Sequence, residues 1–216
     1  MADAEPTVGI LDTGPTDRRF REALIELFSG DGTIYLVSGY FTYQGYLGIR
    51  DAIVSFLERS PENELVGIVG LASDQFSARI AQDLWSLDRP DQVRLYKYPR
   101  GLHAKLYVRD GPEPRCIVGS SNITQVAFSY NVELNLEFSR EHRDHPDMNA
   151  FRGWIDEMLE RSEPLDRRDV RMPALVGGSI VNWSNKAQLL PIRAIALRII
   201  PVLVLLVVIA GLIRFV

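Results

Sequence analysis

One cysteine, Cys116, and three histidines, His103, His142 and His145, are all that 216 residues offer of the commonest metal-ligating side chains. A lone thiol excludes an intrachain disulfide framework and any zinc site built on several cysteines. Three histidines leave little material for a His-rich metal centre. The cysteine usage fits a reducing cytoplasm. The opening residues, Met-Ala-Asp-Ala-Glu-Pro, lack the basic and apolar regions of a secretory signal, so none is expected. No internal repeat is found. What is present is ordinary globular material. Hydrophobic residues make up 46% and charged residues 24%, which excludes a disordered polymer and suffices for one domain with an appendage.

Charge is unevenly spread. Residues 1–165 hold 17 Lys and Arg against 26 Asp and Glu, whereas residues 166–216 hold 7 against 2. The two parts therefore face different surroundings. Residues 199–213 (IIPVLVLLVVIAGLI) carry no polar side chain. As a helix at about 1.5 Å per residue, this run covers about 22 Å, short of a hydrocarbon core of about 30 Å. Residues 194–216 are long enough to span if Arg198 and Arg214 snorkel. The run has neither strand nor helix periodicity, so a membrane-spanning tail is expected, with a core or partner-binding helix as the alternative. Basic residues precede it, from Arg167 to Arg198, and only Arg214 follows. Positive-inside bias then places the body in the cytoplasm, associated with the inner membrane. The expected organisation is a catalytic domain at 1–165, a basic linker at 166–192 and a tail helix at 193–216.

The body reads as α/β. Short apolar or alternating runs at 33–41, 65–71, 93–98, 103–109, 115–119 and 132–138 predict strands. Amphipathic runs at 18–28, 48–58, 75–87 and 149–161 predict helices, with Asp17 and Ser73 as plausible N-caps. Strand–helix alternation followed by a run of strands predicts a mixed β-sheet sandwiched by helices, plus the C-terminal hydrophobic helix.

The chemistry concentrates in residues 103–133. His103 and Lys105 are two apart on a predicted strand, so both point to one face. An imidazole beside an ammonium makes a receptor for phosphate. The lysine supplies charge and donors, and the histidine supplies a nitrogen able to attack phosphorus or carry a proton. Gly119-Ser120-Ser121-Asn122 follows a further apolar strand, with small residues for close approach and neutral donors for phosphate oxygens.

His103-x-Lys105 alone is weak. The ordered string His103-x-Lys105-x4-Asp110 and then Gly119-Ser120-x-Asn122 resembles the HKD motif of the phospholipase D superfamily. Asn131-Val132-Glu133 resembles the Asn-x-Glu that follows the motif in small single-motif nucleases and metal-independent restriction endonucleases. One motif copy is present. The resemblance therefore implies a homodimer in which two His103 side chains meet across a two-fold axis. It also implies two-step phosphodiester cleavage through a phosphohistidine, with no metal or other cofactor. His103 would be nucleophile and acid, and Lys105 and Asn122 would hold the non-bridging oxygens. Glu133 would orient His103 through a hydrogen bond. Ser120, Ser121 and Asp110 would support the phosphate pocket, Asp110 being more structural than catalytic in the family. Nucleic acid is the expected substrate, with a lipid phosphodiesterase or phosphatidyl transferase as the alternative and a non-enzymatic membrane scaffold third.

Weaker signals have bland readings beside them. Asp12-Thr13-Gly14 matches the aspartic-protease triplet but reads better as a strand end and turn. His142 and His145 lie among charges and read as a solvated loop. Ser38-Gly39-Tyr40-Phe41 either lines the pocket mouth or packs in the core. Arg94, Lys97, Arg100 and Arg109 form either a basic patch or a scattered surface. Asn122 and Asn182 begin glycosylation-type triplets that a cytoplasmic chain would not use.

Overall fold

The computed structural model describes residues 7–12, 19–70, 76–87, 89, 91–140 and 144–170. They belong to the first of two compact units, Met1–Pro173; the second, Ala174–Val216, lies outside them and contains the expected tail. The proposed caps Asp17 and Ser73, together with His142, also lie outside.

The elements run in the order β1 (Thr7–Asp12), α1 (Arg19–Leu27), β2 (Thr33–Ser38), α2 (Tyr43–Leu47), α3 (Arg50–Arg59), β3 (Glu64–Gly70) and α4 (Ala78–Trp85). They continue with β4 (Val93–Tyr98), β5 (Lys105–Asp110), β6 (Arg115–Gly119), α5 (Gln125–Ser129), β7 (Leu134–Ser139), α6 (Pro146–Glu160) and β8 (Glu163–Pro164). All strands join one sheet in the order β1-β7-β6-β5-β2-β3-β4-β8. β2, β3 and β4 are parallel, and the other pairings are antiparallel. This is the mixed α/β sheet expected from the sequence.

Each face is closed by apolar side chains at the spacing its element demands. α1 buries Phe20, Ala23, Leu24 and Leu27, the i, i+3, i+4, i+7 stripe of one helix face. α3 buries Ile53, Phe56 and Leu57, and α4 buries Ile80, Ala81 and Leu84. These pack on the face of the sheet that carries Ile34, Leu36, Tyr107 and Ile117. α6 covers the opposite face, setting Met148, Ile155 and Met158 on Val37, Ile68, Leu106 and Val108. β3 is buried along nearly its whole length, which explains why Leu-Val-Gly-Ile-Val-Gly is a continuous apolar run rather than an alternating one. Burying each such Leu, Ile or Phe contributes roughly 1.5–3 kcal/mol.

Two departures from the sequence expectation bear on the site. The helix expected at 48–58 is present as α3, but an unexpected short helix precedes it. α3 begins at Arg50, and the separate α2 precedes it, started by Thr42, whose hydroxyl accepts the Gly45 N–H at 3.2 Å. α2 gives little sequence signal because it is short and carries Gly45 in its middle. Gly45 is required for a tertiary reason: a Cβ there would sit 2.2 Å from the carbonyl oxygen of Ile123. Its absence lets α2 lie against the segment that follows Asn122. The second departure is the C-terminal boundary. Packing continues past residue 165, since Val170 is buried and Asp169 pairs with Lys97 at 2.7 Å. The expected linker thus begins within this packed stretch. Among the described residues, no helix is long and apolar enough to cross a membrane.

Candidate active site

The register fixes where the chemistry sits. Ser38, the last residue of β2, pairs with Lys105, the first of β5. β3 and β4 run parallel to β2 and end at the same edge. His103 and Lys105 therefore lie at the C-terminal edge of the three parallel strands, where a chain reversal leaves side chains open to a ligand.

β5 starts at Lys105 rather than at His103, and one further cross-strand bond, from Gly39 N–H to Ala104 O at 3.1 Å, holds the segment just before it against the end of β2. His103 is exposed and Lys105 is buried. Their side chains still meet, Lys105 Nζ lying 3.3 Å from His103 Nδ1 and donating to His103 O at 2.5 Å. An ammonium can only donate, so in this contact Nδ1 accepts and the proton of neutral His103 lies on Nε2. Burial lowers the Lys105 pKa below the ordinary lysine value, and the negative charge of Glu133 opposes the shift.

The 119–122 turn forms the other wall. A Cβ on Gly119 would stand 2.3 Å from Leu134 O, so glycine is what permits β6 to end so close to β7. Ser120 Oγ donates to Glu133 Oε2 at 2.5 Å and accepts Leu134 N–H at 3.0 Å. Asn131 Nδ2 donates to Glu133 Oε1 at 2.9 Å. Glu133 is thus anchored by Ser120 and Asn131, and it reaches Lys105 through its charge. Asn122 Oδ1 accepts Tyr40 N–H at 3.0 Å. With its oxygen occupied by an obligate donor, Asn122 has its NH2 group as the end able to meet a phosphate oxygen. Consecutive residues Gly39 and Tyr40 therefore tie the His103 segment to the Asn122 segment. Tyr40 is 40% exposed, while Ser38 and Phe41 are buried. The Ser38–Phe41 stretch accordingly divides between core and rim.

Ser121 and Asp110 occupy different positions. Ser121 is buried, its hydroxyl accepting from Asn135 Nδ2 at 2.8 Å and its N–H donating to Asn135 Oδ1 at 3.2 Å. It faces the interior and holds the turn from beneath. Asp110 closes β5 at the end opposite Lys105, on the α6 face, where its carboxylate accepts from Arg152 at 2.9 Å. Side chains alternate along a strand, so the five-residue interval from Lys105 puts the two on opposite faces. Asp110 anchors α6 to the sheet.

Two supporting residues, Tyr107 and Asn135, carry no motif in the sequence, and Ser38 of the 38–41 stretch joins them. Tyr107, fully buried two residues after Lys105, donates its hydroxyl to Ser121 O at 2.7 Å. Asn135, two residues after Glu133, brackets Ser121. Ser38 Oγ accepts Ile123 N–H at 3.3 Å and donates to Tyr40 O at 2.8 Å. Their only sequence signal is a polar group at an inward strand position, where a partner must exist. His145 caps α6, accepting Asp147 N–H, which gives it a structural task in place of a solvated loop. The four basic residues near the motif do not act together. Arg94 pairs with Glu64, Lys97 with Asp169 and Glu163, and Arg109 is buried against carbonyls at the end of α1. Arg100 alone of the four is exposed without a partner among the described residues.

Residues 22–159 match the family model described as cardiolipin synthase, PLD-like domain. The chain belongs to the PLD-like family. Solved PLD-like structures agree in fold. Nuc, a phospholipase D family member from Salmonella typhimurium, superposes with a TM-score of 0.57 at 15% identity, over 74% of this chain and 99% of its own. NucT from Helicobacter pylori gives 0.57 at 18%, over 74% and 100%. Phosphatidylserine synthase from Haemophilus influenzae gives 0.59 at 13%, over 74% of this chain and 40% of that one. No curated protein matches the chain. Phosphodiester chemistry is the common ground of the PLD-like superfamily, and Nuc and NucT are matched almost end to end by part of this chain.

Proposed function

We propose that this PLD-like chain is a metal-independent phosphodiesterase that cleaves nucleic acid through a phosphohistidine, working as a homodimer held at a membrane by its C-terminal tail. The observation that carries the reading is the pairing of His103 Nδ1 with Lys105 Nζ at 3.3 Å on an open sheet edge. In the first step a ring nitrogen of one His103 bonds to phosphorus as the bond to the leaving oxygen breaks, and the partner His103 gives that oxygen a proton. In the second step water bonds to phosphorus, the N–P bond breaks, and the partner His103 takes the water proton. Lys105 and Asn122 hold the non-bridging oxygens and stabilise the added charge. Ser120 and Asn131 fix Glu133 near Lys105.

A second copy of the chain supplies the second histidine. Tyr130, Val132, Leu134 and Leu136 form an exposed apolar row beside Glu133, with Val132 81% exposed, and such a row supports a covering subunit at the site. The end-to-end coverage of Nuc and NucT favours nucleic acid. The same apolar row, with the apolar tail, favours a lipid phosphodiester as the second reading.

The test is a substrate panel on the full chain, prepared from carbonate-washed membranes, with chelator present. Cleavage of DNA or RNA is expected, with activity retained in the pellet. Cleavage of phosphatidyl lipid alone would replace the nuclease reading by the lipid one, and release into the carbonate supernatant would remove the membrane tether.

Activity should also follow the Lys105 charge. The ammonium must be protonated to hold phosphate, so turnover is present below its pKa and lost as pH rises through it. Because burial lowers that pKa, the alkaline limb is expected below the ordinary lysine range. Glu133→Gln removes the opposing charge and is expected to move the limb lower still. A limb that does not move separates Glu133 from Lys105.

A further inference from the structure

Tyr98, Pro99, Arg100 and Arg161 line a cavity of about 370 Å³ at the C-terminal end of β4. Nothing in the proposed phosphodiester chemistry uses it. Its place relative to His103 follows from the register. Lys105, Ser38, Val69 and Lys97 stand in one row across β5, β2, β3 and β4, and Tyr98 is one residue further along β4. Three strand spacings of about 4.8 Å put that end of β4 roughly 14 Å from Lys105 along the same sheet edge. From Tyr98 the chain turns back, and Arg100 is three residues from His103, a separation of at most about 11 Å.

The charges here are available. Lys97 is neutralised by Asp169 and Glu163. Arg100 is exposed and carries no partner among the described residues. Among the described residues the Arg161 side chain meets only Glu157, at 3.3 Å, in a pair whose two side chains are 63% and 62% exposed. Such a pair holds little energy and yields readily to a better anion. Two guanidinium groups and a half-buried tyrosine around one cavity form a receptor for phosphate with an adjoining base, since a guanidinium grips phosphate oxygens through paired donors and the ring offers a stacking face.

We propose that Arg100 and Arg161 form a second anion subsite, which takes a phosphate of the same nucleic-acid strand a few nucleotides from the one at His103, with a base against Tyr98. The proposal rests on the nuclease reading and sharpens it. A substrate with one diester fills only the His103 site, whereas a polynucleotide fills both. The cavity therefore selects polymers over isolated diesters, and it selects them by backbone charge, with no reading of base sequence.

The test compares the full chain with the Arg100→Ala/Arg161→Ala variant on two substrates, a short labelled single-stranded oligodeoxynucleotide and bis(p-nitrophenyl) phosphate. Two single-strand phosphate contacts near physiological salt are worth roughly tenfold, so KM for the oligonucleotide is expected to rise about that much. In a His103→Ala background, the slope of log affinity against log salt is expected to fall by about 1.4. The loss should be confined to the oligonucleotide. An unchanged oligonucleotide KM and salt slope overturns the subsite, and so does an equal loss on both substrates, which would place the arginines at the reaction centre or in the fold. Failure of the nuclease reading looks different. The unmodified chain would then hydrolyse the single diester or phosphatidyl lipid and leave nucleic acid intact, and the subsite would fall with it.

Discussion

Replacing His103 by alanine is expected to lower phosphodiester turnover by roughly ten-thousand-fold or more, because removing a nucleophile closes the covalent route and leaves only binding and charge stabilisation. The structure gives the reason this side chain is irreplaceable within one subunit. His103 is the single imidazole at the sheet edge among the described residues, and its ring nitrogen is paired with Lys105 at 3.3 Å. His145 is committed to capping α6. The measurement is kcat on the preferred substrate, together with capture of labelled enzyme in alkali. The unmodified chain is expected to show an acid-labile, alkali-stable phosphoryl group, and His103→Ala none. Full turnover in His103→Ala would end the phosphohistidine mechanism. The protein would then need a different nucleophile, and nothing else at this edge offers an imidazole.

Asp110→Ala is expected to act on stability rather than on chemistry. The Asp110 side chain is 3% exposed and holds Arg152, itself 19% exposed. Removing the carboxylate takes the nearest charged partner from a largely buried guanidinium, at a cost of about 3 kcal/mol, the low end for a broken buried pair because Asp144 at 3.9 Å and Asn149 still face Arg152. For a chain of this size the loss corresponds to a Tm lower by about 6–12 °C. Turnover by the folded fraction is expected to stay near that of the unmodified protein. Adding Arg152→Met should restore part of the stability, because it removes the charge that Asp110 balanced and places apolar volume against the sheet. A loss of kcat with no loss of Tm would instead put Asp110 in the phosphate pocket.

These two residues illustrate how far the sequence reaches. His103 and Lys105 are legible because a two-residue interval on a strand sets both on one face. Asp110 belongs to the same ordered string, yet its interval from Lys105 is odd and spans the whole strand. Strand alternation alone, applied strictly, puts it on the other face; its partner Arg152, 42 residues away, could not be read. The short α2 is illegible in the sequence for the complementary reason. A periodic apolar stripe marks α3, but the break before Arg50 and the short α2 depend on Gly45 meeting Ile123, a contact between distant parts of the chain.

The sequence by itself determined the α/β class, the order of most elements and the residues able to handle a phosphodiester. Each of those follows from local periodicity or from chemistry carried within a short stretch. Tertiary structure alone decided that Tyr40 bridges the two halves of the site through Asn122. It also decided that Tyr107, Ser38 and Asn135 support the 119–122 turn, and that Arg100 has no partner among the described residues while its basic neighbours are paired or buried. Those outcomes depend on which strands lie side by side and in what register. A hydrogen bond or an ion pair acts over about 3–4 Å, and only the folded sheet brings such residues within that distance.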